Sequence, residues 1–453
     1  MKHLTPQVIA GITGGQYFGD ELARDIAISG AVRDNREVKP GNLFVCIRGA
    51  RVDGHSFANR AFESGAACCL TEQIIPDAQG PYVLVESTLE AIKIIGGYHR
   101  SLMTMPVIGI TGSVGKTTTK EIIAAALGAK LRVLKTPENL NNELGVPLTL
   151  LSLDESHEAA VIEMGISDFG EMSRLADMVR PDIFVITKIG YSHLEELHDL
   201  NGVLKAKTEA FAFMKQDGVA VLNGDDELLW GFDPGMRKIT YGLDERNAFR
   251  AENIRVDSPD AVNCDIVSDT GRVLVKIPAY GSHLAYAALP AVIVSRLLGV
   301  SDGEICRGVL SYKPVGGRAN ILETGFITLI NDCYNANPHS VNAALSSLSA
   351  LPGRRVAILG DMLGLGEQSD ELHREVGAFA ARCGIDVLIC CGEKAALIAD
   401  VYTSSSGRPA SYYSARSELI EALPELIKKN DAVLVKASHS MQFEEILPYL
   451  EEM

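Results

Sequence analysis

The order of apolar and polar residues in the first hundred positions predicts short strands separated by turns. Apolar runs at 42–48 and 82–85 have the length and composition of buried strands. Turn-forming pairs, Pro40-Gly41 and Asp53-Gly54, lie on either side of the first run. Residues 1–100 are therefore predicted to form a small mixed α/β domain.

From residue 101 to residue 312, short apolar runs alternate with segments of helical periodicity. The run at 105–110 ends at a glycine-rich turn, and residues 116–127 then carry apolar positions at helical spacing. Further apolar runs lie at 159–162, 182–187 and 218–222. This alternation predicts a mostly parallel sheet with crossover helices.

The same alternation returns over residues 313–453. Its strand-like runs lie at 355–359, 387–391 and 432–435. No G-x-G-x-x-G follows any of these runs, which argues against a dinucleotide site there. The chain is thus predicted to be an α/β protein of three domains, 1–100, 101–312 and 313–453, with a Rossmann-like last domain.

Composition narrows the class of protein. The 453 residues are 47% hydrophobic and 22% charged, with a formal net charge of -16, which disfavours non-specific nucleic-acid binding. Nine cysteines without a C-x-x-C indicate a reducing compartment. The N-terminus lacks the pattern of a signal peptide, and the apolar segment 285–300 is too short to span a bilayer. We expect a cytoplasmic protein, not inserted in a membrane.

Residues 109–120, GITGSVGKTTTK, match a phosphate-binding loop with one defect. Gly115, Lys116 and Thr117 occupy their usual places, but Ile110 stands where the first glycine belongs, and Gly112 supplies a turn nearby. A strand, a glycine-rich turn and a helix direct backbone N–H groups towards an anion. An ordinary turn is the alternative, but this context favours ATP, with Lys116 on its terminal phosphates and Thr117 on Mg²⁺.

Three residues downstream of this loop are candidates for metal chemistry. Glu163 ends a predicted strand, where parallel sheets place ligands, and favours a magnesium role. His193 follows the next run and is assigned a weaker, auxiliary role. For Lys207 the sequence alone favours an ordinary solvated helix lysine.

Polar residues also cluster in loops further along the chain. Asn139, Asn141 and Asn142 form either a simple turn or a loop that reaches phosphate and substrate. Polar clusters in the last region are expected to meet at one sheet edge, and a binding edge is favoured over a solvated one. Their members are Asp332, Asn335, Asn337, Asp361 and Lys436.

Together these pieces resemble the Mur ligase family, the ATP-dependent amide ligases of peptidoglycan synthesis. The loop T-G-x-x-G-K-T-T is common to the family. The more specific stretches are "NLNNELGVPLTLL", "DCYNANPHS" and "VKPGNLFVCIRGARVDGHSF", and the resemblance covers nearly the whole chain. It implies that the chain, as a monomer, joins D-alanyl-D-alanine to UDP-N-acetylmuramoyl-tripeptide through an acyl phosphate, using ATP and Mg²⁺.

The resemblance also implies roles for individual residues. The ATP contacts are Thr111, Gly112, Ser113, Val114, Gly115, Lys116, Thr117, Thr118, His283, Arg318 and Asp332. The metal residues are Thr117, Glu163, His193 and Lys207, with Lys207 carbamylated by CO₂. Lys116, Lys207, His193 and Arg318 are the catalytic residues. The substrate contacts are Asp53, His55, Asn139, Asn142, Asn335, Asn337 and Ser340, the first two in the uridine-nucleotide domain.

The chain departs from the family pattern at five positions. Leu284 and Ala287 replace asparagines on the adenine side, and His439 replaces an arginine. The other two changes are Lys188 for asparagine and Gly364 for glutamate. These changes keep two alternatives open: a related ligase with another acceptor, such as a folate polyglutamylating enzyme, and a nucleotide-binding paralogue without ligase activity.

Overall fold

The computed structural model describes residues 1, 3–49, 52–258, 261–318 and 320–453. Their strands form three sheets of five, nine and six strands, in chain order from the N-terminus. The α/β class and the division into three sheets agree with the sequence prediction.

The first sheet has the strand order β1-β5-β4-β3-β2, and only the β1–β5 pairing is antiparallel. Its strands are β1 (Gln16–Phe18), β2 (Gly30–Val32), β3 (Asn42–Val45), β4 (Cys68–Thr71) and β5 (Tyr82–Leu84). Its helices are α1 (Pro6–Thr13), α2 (Ala58–Glu63) and α3 (Thr88–Ser101). Alternate residues of β3 pack on opposite faces, Leu43 in one core cluster and Phe44 in the other, as the pleat requires.

Helix α3 joins the first sheet to the second. Its apolar side packs in the first core through Ile92 and Ile95. At its end, His99 Nε2 lies 2.8 Å from the Leu153 carbonyl, and the buried Arg100 donates from Nε to the Val179 carbonyl at 3.0 Å. Glycine at position 96 allows the helix to approach Pro147 closely, since a Cβ there would lie 2.8 Å from Pro147 Cβ.

The central sheet has the order β14-β13-β12-β11-β10-β9-β6-β8-β7. Its strands are β6 (Val107–Thr111), β7 (Val133–Lys135), β8 (Ala159–Glu163), β9 (Ile183–Ile186), β10 (Val219–Asn223), β11 (Arg237–Gly242), β12 (Phe249–Ser258), β13 (Ala261–Ser268) and β14 (Gly271–Ile277). Its helices are α4 (Lys116–Gly128), α5 (Gly145–Leu150), α6 (Glu171–Val179), α7 (Leu194–Leu197), α8 (Leu200–Thr208), α9 (Glu227–Gly231), α10 (Leu284–Leu297) and α11 (Asp302–Leu310). The strands from β7 to β12 pair in parallel, which confirms the predicted parallel sheet.

An antiparallel extension of this sheet was absent from the sequence prediction. Strands β12, β13 and β14 form an antiparallel meander at one end of the sheet. Helix α10 packs on it and is buried almost throughout, because the helix lies between the meander and α4. In the described part of the chain, no helix has the length and apolarity needed to cross a bilayer.

The third sheet has the order β15-β16-β20-β17-β18-β19, and only the β15–β16 pairing is antiparallel. Its strands are β15 (Asn320–Glu323), β16 (Thr328–Asn331), β17 (Arg354–Gly360), β18 (Val387–Cys391), β19 (Ser411–Tyr413) and β20 (Asp431–Lys436). Its helices are α12 (Pro338–Ser349), α13 (Ser369–Arg382), α14 (Ala395–Ser406), α15 (Arg416–Leu426) and α16 (Leu447–Glu451). The carboxyl ends of β16 and β20 adjoin the same cavity as the carboxyl ends of β8 and β9.

Candidate active site

A cleft of about 1140 Å³ is lined by residues from all three sheets. The central sheet contributes the phosphate loop and the ends of β8, β9 and β10. The C-terminal sheet contributes the segment after β16 and the end of β20, and the N-terminal region contributes Ile47, Leu89 and Lys93. The cleft therefore lies between the domains, where several ligands could bind together, rather than within one domain.

The phosphate loop turns sharply between β6 and α4. Gly112 and Gly115 have φ of 147° and 80°, in the region that side chains rarely adopt, and a Cβ on Gly112 would lie 1.9 Å from Thr187 Oγ1. Helix α4 begins at Lys116, so its first-turn N–H groups have no partner within the helix. Thr111, Gly112 and Thr117 are buried behind the loop. The other predicted contacts of the loop line the cleft: Ser113, Val114, Gly115, Lys116 and Thr118.

Lys116 is folded back over this loop. Its Nζ donates to the Gly112 carbonyl at 2.8 Å. Burial lowers the pKa of Lys116; the Glu163 carboxylate opposes this shift and the Arg318 guanidinium adds to it. An anion in the loop would restore the favourable charge that burial removes, which is the arrangement expected of a phosphate-binding lysine.

Glu163 lies at the centre of a buried network at the end of β8. Thr117 Oγ1 donates to both of its oxygens, at 3.1 and 2.9 Å, and Asn141 Nδ2 donates to Oε1 at 2.8 Å. Lys120 Nζ lies 3.5 Å from Oε2 and donates to the carbonyls of Thr136 and Glu138. The network places a hydroxyl and a carboxylate side by side, and these oxygen donors fit Mg²⁺.

His193 lines the same cleft as Glu163, and both His193 and Lys207 interact electrostatically with Lys116. Lys207 is 2% exposed, and burial, followed by the Lys116 ammonium, lowers its pKa well below the usual value. His193 adopts a left-handed φ of 54° before α7, and desolvation of its ring, followed by the Lys207 and Lys116 charges, lowers its pKa. Both groups are thus favoured in their neutral forms, which repel a cation less than an ammonium or imidazolium would.

The predicted metal residues fit Mg²⁺ with few protein ligands. Among the residues that the structure describes, no three His, Cys, Asp or Glu side chains form a ready-made metal cage. Magnesium usually takes one or two carboxylates and completes its shell with water and substrate phosphates. Thr117 and Glu163 beside the phosphate loop match that mode of binding.

The opposite wall of the cleft is an ion-paired turn after β16. Lys436 is 2% exposed, and its Nζ donates to Asp332 Oδ2 at 2.6 Å and to the Asn335 carbonyl at 2.8 Å. The Arg318 guanidinium lies 3.8 Å from the centre of the Tyr334 ring, which also stacks with His439 at 5.7 Å. Asp332, Asn335, Asn337 and Lys436 therefore meet at this edge, as predicted, and Arg318 lies beside them through Tyr334. Asp361, also predicted for this edge, lines a separate pocket instead.

Asn337 and Ser340 line the cleft but are engaged with each other. Asn337 Oδ1 accepts from the Ser340 N–H at 2.9 Å, and Ser340 Oγ accepts from the Asn337 N–H at 3.0 Å. This reciprocal pair is a capping box at the start of α12. Their predicted substrate contacts stay predictions, and the structure gives both side chains a structural task.

The wall around α10 is largely apolar. Leu284 and Ala287 line it, and His283 Nδ1 is buried without a hydrogen-bond partner among the described residues. Burial lowers the pKa of His283, which favours a neutral ring. Tyr286 is used internally, since its hydroxyl donates to Asp225 Oδ2 at 2.8 Å. His283 therefore retains an open hydrogen-bonding position beside an apolar surface.

Three of the predicted substrate residues do not line the cleft. Asp53 Oδ1 lies 2.6 Å from His55 Nδ1, while His55 Nε2 accepts from the Glu72 N–H at 3.0 Å, so His55 is held within the N-terminal domain. Asn139 is exposed on the loop before α5. Asn142 does line the cleft, although its Oδ1 also accepts from the Gly145 N–H at 2.9 Å.

Several residues at the site were missing from the predicted set of site residues. Asn141 contacts Glu163 directly, whereas the predicted substrate contacts of this loop are its neighbours Asn139 and Asn142. Lys120 follows Lys116 by one helical turn in "GKTTTK", and that spacing could have indicated a shared face. For Tyr334, which holds Arg318, the sequence offers no comparable signal.

The three sheets and the phosphate loop define a nucleotide-binding α/β protein of three domains. Three family models match in order along the chain: the Mur ligase family catalytic domain at 28–98, the Mur ligase middle domain at 110–295, and the Mur ligase glutamate ligase domain at 317–439.

Known proteins are similar over the whole length. UDP-N-acetylmuramoyl-tripeptide--D-alanyl-D-alanine ligase of Bacillus subtilis (strain 168) is 34% identical, with 100% of this chain and 98% of the relative covered. The enzyme of the same name from Escherichia coli (strain K12) is also 34% identical, with 100% and 99% covered. The chain belongs to the Mur ligase family.

Solved structures agree with this assignment. A crystal structure of MurF from Acinetobacter baumannii has a TM-score of 0.88 at 28% identity, covering 99% of both chains. MurF ligase from Thermotoga maritima in complex with ADP has a TM-score of 0.82 at 27% identity, covering 96% of this chain and 98% of that one.

Proposed function

We propose that this chain is an ATP-dependent amide ligase that joins D-alanyl-D-alanine to UDP-N-acetylmuramoyl-tripeptide in peptidoglycan synthesis. The observation that carries the proposal is one cleft in which the phosphate loop faces Arg318 and Asp332 across a gap that also reaches the N-terminal domain. Full-length relatives at 34% identity carry the name of this ligase and support the choice of substrates.

The chemistry requires activation of a carboxylate. The terminal carboxylate of the tripeptide attacks the γ-phosphorus of ATP, so that a C–O–P link forms and ADP leaves. The amine of D-alanyl-D-alanine then attacks the acyl carbon, and the tetrahedral intermediate expels phosphate as the amide bond forms. The amine proton passes to a general base or to water. Each step spreads negative charge over phosphoryl or acyl oxygens, and fixed cations stabilise it.

The residues of the cleft are suited to these demands. Lys116 is held over the loop where the terminal phosphates would lie, and Arg318 faces it from the C-terminal side. Thr117 and Glu163 would hold Mg²⁺, which when bound neutralises phosphate charge. His193 and Lys207, which interact electrostatically with Lys116, would be its further ligands. The lowered pKa of Lys207 favours its neutral amine, which is the form that reacts with CO₂ to give a carbamate.

The remaining assignments extend this proposal. Residues 1–100 would bind the uridine-nucleotide end, 101–312 ATP and 313–453 the dipeptide, with His283 next to the base and Asp332 towards the ribose. Asn142, Asn335, Asn337 and Ser340 would line the acceptor and dipeptide sides. We further infer a cytoplasmic monomer, and all nine cysteines are free thiols, as a reducing compartment requires.

The test is a ligation assay with the purified chain. ADP release and the amide product are measured with ATP, Mg²⁺, D-alanyl-D-alanine and a UDP-muramoyl-tripeptide ending in lysine or in diaminopimelate. We expect release that depends on both substrates with one of the two tripeptides. ATP binding without product from either tripeptide would instead identify a silent paralogue, and product with glutamate and a folate acceptor would identify a different ligase.

A further inference from the structure

The loop between β9 and α7 touches the phosphate loop on one side. Ser113 N donates to the Lys188 carbonyl at 2.9 Å, and Ser113 Oγ donates to the Gly190 carbonyl at 2.8 Å. The Gly190 N–H donates to Ser113 Oγ at 3.0 Å, and Ser192 Oγ donates to the same oxygen at 3.0 Å. Any shift of residues 188–192 therefore moves the phosphate loop.

On its other side the same loop carries a residue of the C-terminal domain. The His339 ring stacks on Tyr191 with centroids 5.6 Å apart and an angle of 10° between the planes. The ring also lies against the bare backbone of Gly190, because a Cβ there would be 2.6 Å from His339 Cδ2. Gly190 does not have a positive φ, so close approach, not backbone conformation, is the reason for glycine at this position.

His339 belongs to a rigid part of the C-terminal domain. It follows Asn337 and Pro338 in the first turn of α12, where the Asn337–Ser340 capping box fixes the backbone. The preceding turn is fastened by the buried Lys436, which bonds Asp332 and the Asn335 carbonyl. The segment 332–340 therefore moves as one piece, and the imidazole is its contact with Gly190 and Tyr191.

We propose that His339 is a positioning residue, which docks the segment 332–340 onto Gly190 and Tyr191 and so sets the dipeptide side of the cleft against the phosphate loop. The ring acts by shape and stacking. This inference rests on the proposed ligase function only for its kinetic readout. Chemistry between groups bound to separate domains is sensitive to such alignment, since a displacement of about 1 Å can cost on the order of 100-fold in rate.

The kinetic test is a double-mutant cycle with Gly190→Ala, His339→Ala and the combination. We expect His339→Ala to lower kcat/KM for the dipeptide roughly tenfold, while ATP affinity stays within about twofold. Gly190→Ala should lower it at least as much, because its methyl displaces the ring. In the His339→Ala background that methyl keeps only an ordinary contact with Ser113 Cβ at 3.4 Å, so most of its effect should vanish.

Two further variants separate positioning from folding and from histidine chemistry. His339→Phe keeps an aromatic ring on Tyr191 and should retain most of the dipeptide kcat/KM, whereas His339→Gln should behave like the alanine variant. His157→Ala, outside the cleft, is the matched control for loss of a histidine. The proposal is overturned if Gly190→Ala costs the same in both backgrounds, or if His339→Ala, or His339→Gln should the alanine variant not fold, equals the unmodified chain.

A structural readout does not depend on ligase activity. Small-angle scattering with bound nucleotide should show a larger radius of gyration for His339→Ala than for the unmodified chain, with His339→Phe close to the latter. Identical profiles for all three would refute the docking role. If the unmodified chain fails to ligate either tripeptide while the profiles differ as expected, the proposed function fails and the docking role stands.

Discussion

The central and C-terminal sheets both present carboxyl strand ends to the cleft, but they treat charge differently. At the central edge, burial and then the nearby Lys116 ammonium lower the pKa of Lys207, and Glu163 already accepts hydrogen bonds from Thr117 and Asn141. At the C-terminal edge, Lys436 is matched by Asp332 at 2.6 Å. Glu163 compensates the cations of the central edge only in part, so an anion is favoured there, whereas the C-terminal edge is neutralised by its own ion pair. Substitutions at the central edge should therefore mainly change the reaction rate, and substitutions at the C-terminal edge should mainly change the stability of the fold.

The largest effect is expected for Lys116→Ala. Removing the cation over the phosphate loop should lower ADP release, stimulated by both substrates, by at least about 100-fold. The thermal midpoint should stay level or rise, because a desolvated ammonium is removed. Lys394→Ala, on the surface ion pair with Asp370, serves as the control. Near-normal turnover of Lys116→Ala would show that the cation at the central edge does not act on the phosphates, and would contradict the contrast between the two edges.

Glu163→Gln should change the metal dependence. The amide still accepts a hydrogen bond from Thr117 but lacks the charge that Mg²⁺ requires. We expect the Mg²⁺ concentration for half-maximal activity to rise at least about tenfold. A titration of rate against Mg²⁺ with saturating ATP measures this, and an unchanged midpoint would exclude Glu163 from the metal site.

Lys436→Met tests the internally neutralised edge. Removing one partner of a buried pair should destabilise the chain by about 3 kcal/mol, measured by denaturant unfolding. Adding Asp332→Asn removes the carboxylate that has lost Lys436 as its partner and should restore part of the loss in the double variant. Additive losses would show that the two side chains do not act as a pair.

The pH dependence of stability should carry a contribution from His339. Burial lowers its pKa to about 4; Lys188 lowers it further, and Asp226 opposes them. The unfolded chain, with an ordinary histidine pKa near 6.5, then binds up to about one more proton between pH 4 and 6.5, so stability falls as pH falls through that window. His339→Phe should lose less stability between pH 7 and pH 5 than the unmodified chain; equal losses in urea titrations would contradict this.

The smallest effect is expected for Asn337→Ala. It removes the cap of α12 and should cost about 1 kcal/mol of stability, with a modest loss of rate. Thr5→Ala removes the cap of α1, far from the cleft, and should match it in stability without changing the rate. A loss of rate above about 100-fold for Asn337→Ala would instead indicate direct contact with the reacting groups.

Much of the fold was predictable because burial leaves a periodic trace. The strands found at Ala159–Glu163 and Val387–Cys391 lie where short apolar runs predicted them. The meander was missed although residues 262–266 of β13 alternate between apolar and polar, a signal that was available in the sequence. Continuous apolar runs identify strands that are buried on both faces, as in the parallel sheet, but not the half-exposed strands of an antiparallel meander.

The site was only partly predictable, for a physical reason. Gly115 and Lys116 are local in sequence, so the phosphate loop could be found. The burial of Lys207 depends on packing between elements, and its sequence context is that of a solvated helix lysine. The contact between His339 and Gly190 joins residues 149 positions apart, and no periodicity records it.

Helix α3 has a consequence for how the enzyme opens. Its last turn is hydrogen-bonded to the central domain through His99 and Arg100, and Gly96 allows it to pack closely against Pro147. Swinging the first sheet away would strip a buried guanidinium of its carbonyl partners. We therefore expect the first two sheets to move as one body, and the third sheet to move relative to them when substrates enter and leave the cleft.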